Sequence, residues 1–196
     1  MSVPQNDADP RITRTRAVVH RATLELLSEV GVGGLTMEGV AARAGVGRST
    51  LYRRWADLGT LVRDAVRSRP GPPPAATSGD PIERVAQVLE HLVAAMADPA
   101  GFRAMSNLAL AAETDAELAT LLHDDNAKRR RRLIDAIDHA IDAGAIDLDT
   151  DATLAAYALA GAIVFARMTT PTPLTPEDVP ALMRQVIGVE PDQPSR

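Results

Sequence analysis

The stretch that decides the fold runs from Thr36 to Trp55, TMEGVAARAGVGRSTLYRRW. Its second half, Gly45–Trp55, holds the chain's only tryptophan and one of its two tyrosines, with three arginines within seven residues. The protein as a whole carries a net charge of −5. A cluster of guanidinium groups, hydroxyls and scarce aromatics on two helical turns therefore needs a local cause. Thr36 offers a hydroxyl cap to a short helix over about 37–44, with Val40, Ala41 and Ala44 facing inward. The chain then turns through Gly45-Val46-Gly47, where glycine tolerates positive φ and Gly47 suits a helix cap. A further helix follows over about 48–55. Val46, Leu51 and Trp55 point inward, and Arg48, Ser49, Tyr52 and Arg53 share the opposite face. Two short helices around a tight glycine turn form a helix-turn-helix, which lays its second helix in the DNA major groove. Arg48 and Arg53 suit a guanine edge or a phosphate. Ser49, Thr50 and Tyr52 suit phosphate oxygens or a thymine methyl.

Working outward, Val19, Ala22, Thr23, Leu26, Leu27 and Val30 mark one face of an amphipathic helix over about 13–30, ended by Gly31, Gly33 and Gly34. On the other side Asp57 caps a fourth helix with Leu58, Leu61, Val62, Ala65 and Val66 as its apolar positions. Ser68–Pro81, SRPGPPPAATSGDP, has five prolines and two glycines in 14 residues. It reads as a linker. Beyond it the strong patterns are helical, over about 82–97, 100–112, 115–143, 150–168 and 176–187. The fold expectation is all-α: an N-terminal three-helix helix-turn-helix domain followed by a larger helical C-terminal domain. The expected divisions are a disordered arm over 1–12, the DNA-binding domain over 13–67, the linker over 68–81 and the C-terminal domain over 82–190.

The charge is unevenly distributed. Residues 1–70 hold 11 arginines against 7 acids, whereas residues 71–196 hold 10 basic residues against 19 acids. A basic part that meets a polyanion and an acidic part with another task is the implied division. Solvent screening beyond a Debye length of about 8 Å makes the local charge the one that governs contact with DNA. There is no cysteine, which excludes disulfides and thiolate chemistry. No apolar run approaches the roughly 20 residues of a membrane helix, the nearest being Ala152–Ala166. A cytoplasmic protein without membrane contact is the expectation.

Residues 13–66 resemble the N-terminal domain of the TetR/AcrR family of transcriptional regulators. The match is carried by ATLELLSEVGVGGLTMEGVAARAGVGRSTLYRRWADLGTLV, residues 22–62. The resemblance implies a dimeric repressor of a palindromic double-stranded DNA operator, released by a small-molecule effector bound in the C-terminal domain. It also implies that Thr36, Tyr52, Arg53 and Arg54 contact DNA while Arg48, Ser49 and Thr50 approach bases. One position departs from the family pattern. A lysine near the start of the fourth helix, where the family touches a phosphate, is Leu58 here, so that contact is either absent or taken over by Arg63 or by Arg11, Arg14 and Arg16.

Further candidates lie outside the reading stretch. Lys128–Arg132 is the densest basic run, but five successive helical residues point in all directions, and Asp124, Asp125 and Asp135 stand within ion-pair spacing. A solvated, salt-bridged face is expected. Asp147–Asp151 begins like a calcium loop yet has Ala152 and Ala158 where glycine and glutamate are required, so helix capping by Asp149 or Asp151 is expected instead. His20, His91, His123 and His139 lack metal-ligand spacing. No catalytic or cofactor motif is present, and no cofactor, metal or enzymatic activity is expected. Leu92, Met96, Phe102, Met105, Leu108, Leu122, Ile137, Phe165 and Met168 suit an adaptable effector pocket, with Glu113, Asp115 and Glu117 nearby to accept a cationic ligand. The effector is accordingly expected to be apolar or cationic. The helix at 150–168 is small or apolar nearly all round and needs cover on more than one side. With the stripe at 179–187 it forms the expected homodimer interface, a four-helix bundle through Leu154, Tyr157, Gly161, Val179, Leu182, Met183 and Val186. Two other readings remain open on sequence grounds: a ligand-independent regulator or activator, and a helical-bundle enzyme.

Overall fold

A computed structural model describes residues 10–69, 79–189 and 191. Among them the chain forms α1 (Pro10–Gly34), α2 (Met37–Ala44), α3 (Arg48–Arg54), α4 (Leu58–Arg67), α5 (Pro81–Ala97), α6 (Pro99–Ala112), α7 (Ala116–Asp142), α8 (Ala152–Thr169) and α9 (Val179–Ile187), the last preceded by a 3₁₀ turn at Pro176–Asp178. The fold is all-α. The caps are those the local sequence dictates: Thr36 Oγ1 accepts from the Gly39 N–H, Asp57 from Thr60 and Asp151 from Leu154. Asp151 thus takes the capping role expected of it or Asp149. The arm expected over 1–12 begins its helix at Pro10, and residues 1–9 lie outside the described residues. Most of the expected linker, residues 70–78, lies outside them as well.

The chain divides into two compact units, and the division falls within α6 and α7 rather than at the proline-rich segment alone. The first unit comprises residues 1–70 with 103–122, and the second residues 71–102 with 123–196. In the first, α1 packs against α2 and α4, and α2 against α3. Val19, Leu27, Leu35, Val40, Leu51, Trp55, Leu61 and Val62 build its core, joined by Leu108 of α6 and Leu118 of α7. The boundaries expected at 13–67 and 82–190 thus differ from the packing. The apolar faces of α1 to α4 leave a surface that the segment 103–122 covers, a long-range pairing that no local pattern announces.

Two features of α1 depart from its stripe. Gly31 sits at φ 68°, ψ 179°, outside helical space, so the regular helix ends just before it. Val30, the last position of the expected inward face, is 50% exposed. The stripe runs one turn past the core it covers.

In the second unit α5 packs against α8 and α9, and α8 against α9. Ile82, Val85, Leu89 and Val93 of α5, Leu133, Ile137 and Ala140 of α7, and Ala155, Ala156, Leu159 and Ile163 of α8 are buried. The helix α8 reaches Thr169, further than the sequence suggested. By length and composition alone it is long and apolar enough to cross a bilayer, although one side of it is packed within this unit.

Candidate nucleic-acid interface

The reading stretch folds as two helices around Gly45, which stands in the left-handed region at φ 66° and returns its N–H to the Ala42 carbonyl, while Val46 N–H reaches Ala41. A side chain at 45 would be strained in that conformation. Gly47 then caps α3, its carbonyl accepting from Thr50 and Leu51 N–H groups at 2.9 and 3.3 Å. Leu51 is wholly buried and Trp55 nearly so. Arg48, Ser49, Tyr52 and Arg53 are exposed, Thr50 and Arg54 half-buried, and Thr36 is exposed at the start of α2. An α-helix whose buried residues recur at i and i+4 must turn its other positions outward, so the anchor and the reading face have one cause.

Asp64 of α4 holds the anchor in place. Its carboxylate accepts the Trp55 indole N–H at 2.9 Å and His20 Nε2 at 2.9 Å, and it pairs with Arg16 through both oxygens. The His20 and Trp55 rings lie 5.8 Å apart. Partial burial opposes ionisation of Asp64, but hydrogen bonds from Arg16, Trp55 and His20 outweigh it and bring its pKa down to about 2. Burial pushes the His20 pKa below its usual value, with Asp64 acting in the opposite sense. The imidazole is therefore neutral at neutral pH, and its Nε2–H donates to the carboxylate.

Several sequence expectations change at this point. Arg63, offered as a replacement phosphate contact, is mostly buried and pairs with Asp115 at 3.0 Å and Glu117 at 3.2 Å. Arg16 is committed to Asp64, and Leu58 packs on the core. The side chain of Arg11 lies outside the described residues, and Arg14 is exposed. Because Asp115 and Glu117 are taken by Arg63, and Glu117 also by Arg67 at 3.5 Å, they are not the free acids that a cationic effector requires. The basic run at 128–132 is engaged locally, Arg129 with Asp125 at 3.0 Å and Arg130 over the Tyr157 ring at 5.5 Å.

The expected pocket residues are distributed over both units. Met105, Leu108 and Leu122 belong to the first unit, and Leu92, Met96, Phe102, Ile137, Phe165 and Met168 to the second. Met96 and Ile137 are buried there, whereas Phe165 and Met168 are two-thirds exposed. Arg167 stacks on Phe102 at 4.2 Å and donates to the Met96 carbonyl at 2.8 Å. The expected dimer residues also separate. Leu154, Tyr157 and Gly161 are exposed and Leu182 and Val186 half-buried, but Val179 and Met183 are buried inside their own unit. With α9 packed against both α5 and α8, those two side chains are used inside the unit.

Sequence reading missed Glu38, Asp64 and His20. Nothing local distinguishes these residues from ordinary helix-surface acids or a core histidine; only the fold brings Glu38 beside Arg48 and Asp64 beside Trp55.

An indole-anchored second helix with a basic, hydroxyl-bearing outer face, entered through a glycine turn, defines a helix-turn-helix DNA-binding protein. Residues 20–64 match the bacterial regulatory proteins of the tetR family, and residues 75–186 match the tetracyclin repressor-like C-terminal domain. The chain belongs to the TetR family of transcription regulators. It is similar to the TetR family transcription regulator SCO0332, with 32% identity, a TM-score of 0.62, and coverage of 91% of this chain and 100% of that one. A TetR-family regulator from a Rhodococcus species shares the fold at 18% identity and TM-score 0.68, over 88% of this chain and 98% of that one. MexZ of Pseudomonas aeruginosa, described as a key repressor responsible for antibiotic resistance, shares it at 19% identity and TM-score 0.63, over 81% and 84%. No protein of curated function matches the chain.

Proposed function

We propose that the protein is a homodimeric repressor that grips a palindromic operator through Thr36 of the α2 cap and Arg48, Ser49, Thr50, Tyr52, Arg53 and Arg54 of α3, acting in the cytoplasm without catalysis. The observation that carries this reading is the two-sidedness of α3: Leu51 and Trp55 sealed behind it, and Arg48, Ser49, Tyr52 and Arg53 open to solvent in front. Two-fold symmetry would set the recognition helices about 34–36 Å apart, one turn of DNA, or a multiple of it.

Release would follow when an effector in the second unit favours a conformer with a different spacing, so that both half-sites can no longer be filled together. The fourth helix α4, which joins the reading head to the C-terminal part of the chain, is the natural lever. The helices α6 and α7 each contribute to both units and supply a continuous covalent route. With Asp115 and Glu117 engaged, an apolar effector is the better-supported class, received by Leu92, Met96, Phe102 and Ile137. MexZ being a repressor supports that sign of regulation here.

The test is a DNase protection experiment on the DNA flanking the protein's own reading frame. A protected palindrome at moderate salt supports the reading. Uniform protection, or none on any flanking fragment, would end it.

A further inference from the structure

We infer that Glu38 is a specificity-determining residue of the reading face, and that it and Arg48 together read one G·C base pair. This rests on the operator-binding reading above and deepens it. Glu38 lies in the first turn of α2 and is half-exposed, beside the outer face of α3. Its Oε1 stands 3.8 Å from Arg48 Nη1 and accepts the Tyr52 hydroxyl at 3.4 Å. An acid among phosphate-facing groups opposes DNA of every sequence, because the backbone is uniformly negative. Its presence there therefore calls for a gain that depends on sequence.

The chemistry of the pair supplies one. Arg48 offers donors, and an ionised Glu38 offers only acceptors, side by side and opening outward. A G·C pair presents the matching order on its major-groove edge: guanine O6 and N7 accept, and the cytosine N4 amino group beside them donates. An A·T pair in the same position sets the thymine O4 and methyl, or the adenine amino group, against the wrong partner. Tyr52, by donating to the carboxylate, holds it in register with the arginine. Glu38 would also keep Arg48 from settling on any passing phosphate, which suppresses binding to random DNA.

The experiment is selection of binding sites from a randomised duplex pool, followed by anisotropy titrations of the selected and a scrambled duplex, with the full-length wild type, Glu38→Gln, Glu38→Ala and Arg48→Ala. The wild type is expected to select an invariant G·C pair in each half-site. Both Glu38 variants should lose that preference, with the ratio of specific to random affinity falling about tenfold while random-DNA affinity rises. Arg48→Ala should relax the same position. Because Glu38 is exposed, thermal unfolding of its variants should stay close to wild type. If the wild type selects a sequence and the Glu38 variants select the same one with the ratio unchanged, Glu38 merely stabilises the first turn of its helix and the inference fails. If the wild type itself selects nothing, the operator reading fails first.

Discussion

Asp64 is the residue on which the reading head most depends, because one carboxylate ties α1 to the anchor of α3 from its place on α4. Its pKa, lowered from 3.8 to about 2, links it to stability. A depressed folded-state pKa means that the stabilisation is present above the unfolded value, near 4, and disappears as pH falls through about 2. The shift corresponds to roughly 2 kcal/mol. Asp64→Asn should therefore cost on that order at neutral pH, measured by urea unfolding. The difference between wild type and variant should shrink steadily from pH 4 to pH 2. A difference independent of pH would mean that packing, not charge, sets the cost. His20 acts in the same direction. Its pKa is lowered chiefly by burial, so stability declines as pH drops below its unfolded value of 6.5.

At the scale of elements, the kink in α1 is the informative feature. The last carbonyls of a regular helix lack intrahelical donors. Here Asn107 Nδ2 donates to the Leu27 carbonyl at 2.9 Å, and Arg103 Nε to the Ser28 carbonyl at 3.3 Å. Both donors come from α6, so the segment 103–122 is held to the first unit by hydrogen bonds as well as by Leu108 and Leu118. The kink requires glycine: at φ 68°, ψ 179° Gly31 occupies space that other residues avoid. A Cβ there would meet Asn107 at an ordinary 3.6 Å, so backbone strain and not collision decides the outcome. Gly31→Ala is expected to destabilise by about 1–3 kcal/mol, visible as a lowered midpoint in denaturant unfolding. A neutral result would show that the bend is not needed. The sequence announced that a helix stops near three glycines; it did not announce that the freed carbonyls would be met by residues 75 and 80 positions away.

For the molecule as a whole, the open face of α8 bears on assembly. Leu154, Tyr157 and Phe165 are more than half exposed and, with Gly161, which is also exposed, fall on one helical stripe. A Cβ at Gly161 would meet nothing within 4 Å in the single chain. Gly161→Leu should therefore fold as well as wild type yet obstruct the close approach of a second copy. Light scattering is expected to give a dimer mass for wild type and half that mass for the variant, with unchanged helicity by circular dichroism. An unaltered mass would move the interface elsewhere. The same variant should bind a single half-site but lose affinity for the full palindrome, since a monomer cannot fill both halves.

The sequence by itself determined everything that depends on near neighbours. Apolar residues at i, i+3 and i+4, an oxygen at Thr36, Asp57 and Asp151, and glycines at 45 and 47 act within a few residues, so the helices, their caps and the outward turn of Arg48, Ser49, Tyr52 and Arg53 were legible without coordinates. Tertiary structure alone decided which charges meet: Asp64 with Arg16 across 48 positions, Arg63 with Asp115 across 52, and Glu38 with Tyr52 across 14. It also decided that Val179 and Met183 face inward. A carboxylate carries the same letter whether it caps a helix, neutralises an arginine or borders a reading face. Only the packing of apolar faces, which brings distant turns into contact, chooses among those roles.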